Sequence, residues 1–216
     1  MTDFFSAPVG FIGLGSIGSP MALNLVTEGT PLLVWDEAFA RCGVLAQAGA
    51  AVAKDLADVF RDCKVIFLLL ADAKATDAVL ARYDRRFGDR VRGRMLINTA
   101  TPAPAYSVVL EADIRIAGGR FVEAAVWGSR RSAETGQLVA TLAGRPEDVA
   151  FVWPLLAPIC RDVILCGPVP NGLMTAAWLG HSKSAGSSRG PQDSTQCSRP
   201  RLATPANRLA EESQDG

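Results

Sequence analysis

Val9-Gly10-Phe11-Ile12-Gly13-Leu14-Gly15-Ser16-Ile17-Gly18 is a short apolar run closed by three glycines at G-x-G-x-x-G spacing. Directly after it, Met21-Ala22-Leu23-Asn24-Leu25-Val26 sets apolar residues at helical spacing. Strand, glycine turn and helix in that order are the context in which this spacing has chemical meaning. Gly13 allows the tight turn, Gly15 lets a pyrophosphate reach the backbone without a Cβ in the way, and Gly18 lets the helix pack close to the strand. The helix start presents free N–H groups and the positive end of its dipole. Gly13, Leu14, Gly15, Ser16, Ile17 and Gly18 are therefore the candidate phosphate-binding residues. The next apolar run, Pro31–Trp35, is followed by Asp36. A carboxylate there accepts a hydrogen bond from an adenosine ribose hydroxyl and repels a 2′-phosphate, which favours NAD over NADP. The same aspartate is also placed to cap a helix starting near Phe39.

Outward from this unit, apolar and amphipathic segments alternate in a βαβα rhythm that predicts a parallel sheet covered by helices. Strands are expected at Val9–Gly13, Pro31–Trp35, Ala50–Ala53, Lys64–Leu70, Met95–Asn98, Arg120–Val126, Leu138–Ala143 and Asp162–Cys166. Helices are expected at about Pro20–Glu28, Phe39–Ala48, Leu56–Asp62, Ala75–Arg82, Pro102–Ile114 and Glu147–Leu156, with Asp55 an N-cap and Pro102 at a first helical position. The fold class read from this is α/β, a Rossmann-type, doubly wound and mostly parallel sheet over residues 7–170. An irregular tail is expected over 171–216. From His181 onward the chain is rich in serine and charge, with Leu202 and Leu209 its only large aliphatic side chains. Such a segment cannot bury enough surface to offset its ordering entropy, so disorder is expected there.

Composition narrows the function classes. Of 216 residues, 49% are apolar and 20% charged, as in globular proteins, and 22 basic side chains balance 22 acidic ones. A dedicated nucleic-acid or anionic-membrane binder needs a positive excess, so neither partner is expected. The strongest apolar run, Val65–Ala71, is far too short to cross a bilayer, and no basic residue precedes the first apolar run as a secretory signal would require. Five cysteines without a C-x-x-C pair, together with the single His181, give no disulfide framework and no metal site. Buried thiols in a reducing cytoplasm are the expectation.

A resemblance extends this reading. Gly10-Phe11-Ile12-Gly13-Leu14-Gly15-Ser16-Ile17-Gly18-Ser19-Pro20-Met21-Ala22-Leu23-Asn24-Leu25 closely resembles the opening of the β-hydroxyacid dehydrogenases. That group includes the 3-hydroxyisobutyrate dehydrogenases, shares the NAD(P)-binding domain of 6-phosphogluconate dehydrogenase and extends to the imine reductases. The resemblance runs on, more weakly, to about Gly172. It implies an oxidoreductase moving a hydride between a nicotinamide (NAD, or NADP) and a small hydroxy acid or related carbonyl. Leu70 and Ala71 then fall where the strand end touches the nicotinamide side. Asn98-Thr99-Ala100-Thr101-Pro102 resembles the family's Asp-x-Ser-Thr segment, which makes Thr101 a candidate cofactor contact as well as a candidate N-cap.

The substrate motif departs from the family's pattern. Where the family has Asp-Ala-Pro-Val-Ser-Gly-Gly, this chain reads Glu123-Ala124-Ala125-Val126-Trp127-Gly128-Ser129. The resemblance makes Trp127, Gly128 and Ser129 the candidate substrate residues, with Trp127 in the serine's place. A bulky ring there suits a larger or less polar substrate, as in the imine reductases, or is a core tryptophan at a strand end. Gly167-Pro168-Val169-Pro170-Asn171-Gly172 resembles the lead-in to the helix that carries the family's proton-moving lysine, and counting onward places that lysine at Ala176. Alanine cannot move a proton, Lys183 lies seven residues on, and no catalytic residue is assigned. The helical domain that usually makes the family's dimer interface has no counterpart in the polar residues 173–216. A truncated or frame-shifted coding sequence is therefore the expectation, which a translation of the neighbouring reading frame would test. Three functions stay open: a working oxidoreductase, a dinucleotide-binding module without catalysis, and a protein-contact module that keeps only the shape.

Overall fold

Phe11 and Phe67 stack at 5.6 Å between ring centroids on one face of the sheet, while Ile12, Ile66 and Leu68 turn to the other. This alternation, with both faces covered, is what a buried parallel strand requires. The computed structural model describes residues 7–185. In chain order these form β1 (Val9–Ile12), α1 (Gly18–Thr27), β2 (Leu32–Trp35), α2 (Gly43–Gln47), β3 (Ala51–Val52), α3 (Leu56–Asp62), β4 (Val65–Leu68), α4 (Ala73–Leu80), α5 (Arg86–Val91), β5 (Met95–Asn98), α6 (Pro104–Ile116), β6 (Arg120–Trp127), α7 (Arg130–Glu134), β7 (Leu138–Gly144), α8 (Pro146–Val152), β8 (Cys160–Leu165) and α9 (Asn171–Ala185). Short 3₁₀ turns precede α2 and follow α8.

One sheet runs in the order β3-β2-β1-β4-β5-β6-β7-β8. Every neighbouring pair is parallel except β6 and β7. The chain winds outward from β1 to β3, then crosses back to place β4 on the other side of β1. The loops after β1 and β4 therefore diverge, and a crevice opens at their carboxyl ends. Doubly wound α/β is the fold observed, with all eight expected strands in place.

The departures have local causes. Helix α6 was expected from Pro102, capped by Thr101, but it starts at Pro104 with Ala103 in the N-cap position. Proline holds the residue before it extended, and Ala103 (φ −60°, ψ 137°) obeys Pro104, so Thr101-Pro102 remains a loop. Helix α3 begins as expected, and its Asp55 forms a reciprocal capping box with Asp58. The short helices α5 and α7 were not expected, since each buries a single side chain, Val91 or Ala133, and leaves no periodic signal.

The larger correction concerns the tail. Irregular chain was expected from residue 171, but α9 runs from Asn171 to Ala185. Among its described side chains the buried stripe is Leu173 and Ala176 against Ala125, and an alanine in a core position hides the stripe from a hydropathy reading. The loss of pattern thus does not fall at Gly172. The expected disorder beyond Ala185, and Cys197, lie outside the described residues. Among the described residues, Cys42, Cys63, Cys160 and Cys166 are buried free thiols, and no group of three His, Cys, Asp or Glu could hold a metal. Among them, too, no helix is long and apolar enough to cross a membrane.

Candidate dinucleotide-binding cleft

The crevice is a cavity of about 950 Å³ lined by Gly13, Gly15, Ser16, Ile17 and Gly18 from the β1–α1 turn and by Asp36, Glu37 and Arg41 from the end of β2 onward. It meets a second hollow of about 400 Å³ through Ile17, Leu69, Leu70 and Ala71, and that hollow reaches Thr101 and Tyr106. Five of the six glycine-turn residues, together with Asp36, Leu70, Ala71 and Thr101, are thus brought to one continuous cleft.

The turn has the chemistry of an anion site. Among the described residues, the N–H groups of Gly15, Ser16 and Ile17 find no acceptor. Ile17 occupies the N-cap position of α1, with no side-chain hydrogen bond to cap the helix, so the positive end of the helix is left open to a ligand. The three glycines do different work. A Cβ on Gly13 would lie 2.1 Å from the Leu69 carbonyl oxygen, and one on Gly18 would lie 2.0 Å from that of Gly13. A Cβ on Gly15 would meet nothing within 4 Å. Gly13 and Gly18 allow the turn to exist, whereas Gly15 leaves space for something else. A pyrophosphate fits that space and those donors.

Leu14 is not part of the cavity. Its side chain is buried in the core and its N–H donates to Asp36 Oδ2 at 2.7 Å. Asp36 Oδ1 accepts the Ala38 N–H at 2.8 Å, and Arg41 Nη1 lies 3.2 Å from the same oxygen. Asp36 therefore does not cap the 3₁₀ turn that starts at Phe39. It ties the glycine turn to the end of β2; with Arg41 Nη1 also 3.5 Å from Oδ2, a ribose hydroxyl would share or displace that long arginine contact. Arg41 and Glu37, neither of them singled out in the sequence, share the rim of the cavity with it.

The three expected substrate residues lie apart from the cleft. Trp127 ends β6 and is half-buried against Ala125, Leu173 and Ala176. Ser129 caps α7 by accepting the Ser132 N–H at 3.1 Å, and Gly128 joins them at φ 147°. Val126 is the β6 residue that reaches the smaller hollow. Arg130 pairs with Glu134 at 2.8 Å on the surface. A role that sequence reading missed belongs to Asn24, whose amide donates to the Ala133 carbonyl at 2.8 Å and so ties α1 to α7. The Pro-Met-Ala-x-Asn-Leu run carried that signal without stating its purpose. Asn24→Ala should remove about 1 kcal/mol and lower the melting temperature by about 2–4 °C; an unchanged melt would show that the contact carries no net energy.

Known proteins share this arrangement. The chain is 35% identical over 164 residues to glyoxylate/succinic semialdehyde reductase 1 of Arabidopsis thaliana, covering 76% of this chain and 57% of that protein. It is 32% identical over 165 residues to mitochondrial 3-hydroxyisobutyrate dehydrogenase of Rattus norvegicus, covering 76% and 49%. The chain thus spans about half the length of these relatives. A variant imine reductase of Myxococcus stipitatus, solved with NAD+, superposes with a TM-score of 0.77 at 19% identity, covering 83% of this chain and 62% of that one, and shares the fold. Residues 8–167 match the NAD binding domain of 6-phosphogluconate dehydrogenase, and the chain belongs to that family.

Proposed function

We propose that the chain is the dinucleotide-binding domain of an oxidoreductase, that it holds NAD(H) in preference to NADP(H), and that Ala176 leaves it without the proton donor that the family resemblance calls for. The observation that carries this is the set of free N–H groups at Gly15, Ser16 and Ile17 on an uncapped helix start, with Asp36 and Glu37 on the same rim. The N–H groups bind the pyrophosphate, Asp36 accepts from the ribose, and Leu70, Ala71 and Thr101 line the nicotinamide end. A nicotinamide bound there supplies the hydride. The relatives' names point to a small hydroxy acid, a semialdehyde or a related carbonyl as the substrate class, and the imine reductase fold adds a cyclic imine. The tryptophan at position 127 removes the hydroxyl that the family's serine would offer such a substrate.

Arg41 supports a second reading, in which a 2′-phosphate is accepted. Two carboxylates on the rim against one guanidinium make the first reading the stronger. Calorimetric titration with NADH and NADPH separates them: tighter NADH binding is expected, and equal or tighter NADPH binding would overturn the preference. Asp36→Asn keeps an acceptor for the Leu14 N–H while removing the charge. It should shift the ratio of affinities toward NADPH by about 1–2 kcal/mol, roughly ten-fold.

A further inference from the structure

Glu123 sits in the middle of β6 with no exposure to solvent, in register with Asn98 of β5 and Ala143 of β7. Its Oε2 accepts the Leu173 N–H at 3.3 Å, at the start of α9. A Cβ on Gly172 would stand 2.8 Å from that same oxygen, so glycine is what lets the helix begin directly against a carboxyl group. Neither Oε1 nor the fully buried Ser107 Oγ of α6 has a partner at full hydrogen-bond distance, although the hydroxyl lies close enough to the carboxyl to favour its charged form.

The charges around it are few. From α6 come Ser107 and Glu111, and Glu111 is itself paired with Arg115. The described side chains of α9, Asn171 to Trp178, include none that titrates, and Asn98 and Ala143 on the flanking strands are uncharged. Burial above all pushes the Glu123 carboxyl up to about 7, and the Glu111 charge adds to it. Ser107 and the N–H groups of Leu173 and Gly172 pull the other way.

We propose that Glu123 is a titratable seat for α9, which holds the helix start against β6 when neutral and loosens it when ionised. The neutral acid leaves no net charge between sheet and helix. The carboxylate leaves a negative charge in a dry site with no cation facing it among the described residues, and water relieves it only if the start of α9 lifts. Leu173 and Ala176 pack on Trp127, so the movement reaches the end of β6. This inference stands on the packing of α9 and does not depend on which dinucleotide binds.

The sign of the pH effect follows from the raised value. Between the ordinary value of 4.5 and about 7, the folded chain holds a proton that the unfolded chain has lost, so stability falls as pH rises through that window and levels off above it. Amide hydrogen exchange at Leu173 to Ala177, corrected for the intrinsic pH dependence, reads this locally. Protection should fall by about ten-fold or more between pH 5.5 and 8.5, while amides in β1 and β4 stay protected. Glu123→Gln, neutral at every pH, should flatten the profile; an unchanged profile in that variant overturns the proposal, as does a flat profile in the parent chain. Should Glu123→Gln fail to fold, Ser107→Ala decides. It removes a group that favours the charged form, so its midpoint must move to higher pH, and an unmoved midpoint counts against the seat.

Discussion

Gly15→Val is expected to lower the affinity for NADH by a factor on the order of a hundred or more while leaving the melting temperature unchanged. The fold has no stake in this position, because nothing lies within 4 Å of the place a Cβ would take. The ligand does. A branched side chain there would stand over the N–H groups of Gly15, Ser16 and Ile17 and keep phosphate oxygens out of hydrogen-bond range. Hydrogen bonds to a charged group contribute about 1.5–3 kcal/mol each, so losing two gives about a hundred-fold. Gly18→Ala and Gly13→Ala are the contrast, since their Cβ atoms would meet backbone carbonyl oxygens at 2.0 Å and 2.1 Å. Gly13 also holds φ at 101°, which L side chains rarely adopt. Both should lower the melting temperature before any ligand is added. A Gly15→Val chain that folds and binds NADH as tightly as the parent would show that the phosphates lie elsewhere.

That division of labour among the glycines explains how much of the molecule was legible in its sequence. Strand β4 is a continuous apolar run buried on both faces, and hydropathy alone marks it. The glycine turn is legible because only one residue type fits at Gly13 and Gly18. The sequence placed Asp36 at the cavity but not its two backbone partners, because a side chain's hydrogen bonds depend on where Leu14 and Ala38 arrive in space. Residues joined across long separations were the ones missed. Asn24 reaches Ala133, and Glu123 reaches Leu173, through contacts that no local pattern announces. Helix α9 escaped for a related reason. Its anchors among the described residues are a glycine, an alanine and one leucine, and their value lies in what they allow to approach rather than in their own hydropathy.

The unmodified chain is expected to bind NADH yet oxidise it no faster than background with semialdehydes, glyoxylate-like carbonyls or cyclic imines. A positioned acid or base contributes about 10²–10⁴-fold to such a reaction. The position where the family resemblance expects a lysine is Ala176, which has no proton to give. Helix α9 is nonetheless formed there, so the missing group cannot be ascribed to a missing helix. Ala176 is 5% exposed and packs with Ala125, Leu173 and Trp127, and neither it nor Trp127 lines the cleft that reaches Leu70, Ala71 and Thr101. Ala176→Lys would therefore force a long cationic side chain into a closed contact. Overpacking alone costs about 1–3 kcal/mol, and desolvation of the ammonium adds to that cost. The variant should melt several degrees lower and remain without turnover, because the amine would be held between α9 and β6 rather than presented to a carbonyl over the nicotinamide. Rapid NADH oxidation by Ala176→Lys at an undiminished melting temperature would show that the β6–α9 contact opens onto the cleft. Sustained, protein-dependent NADH oxidation by the unmodified chain would do more: it would show that some other group moves the proton, and that the chain is a working enzyme.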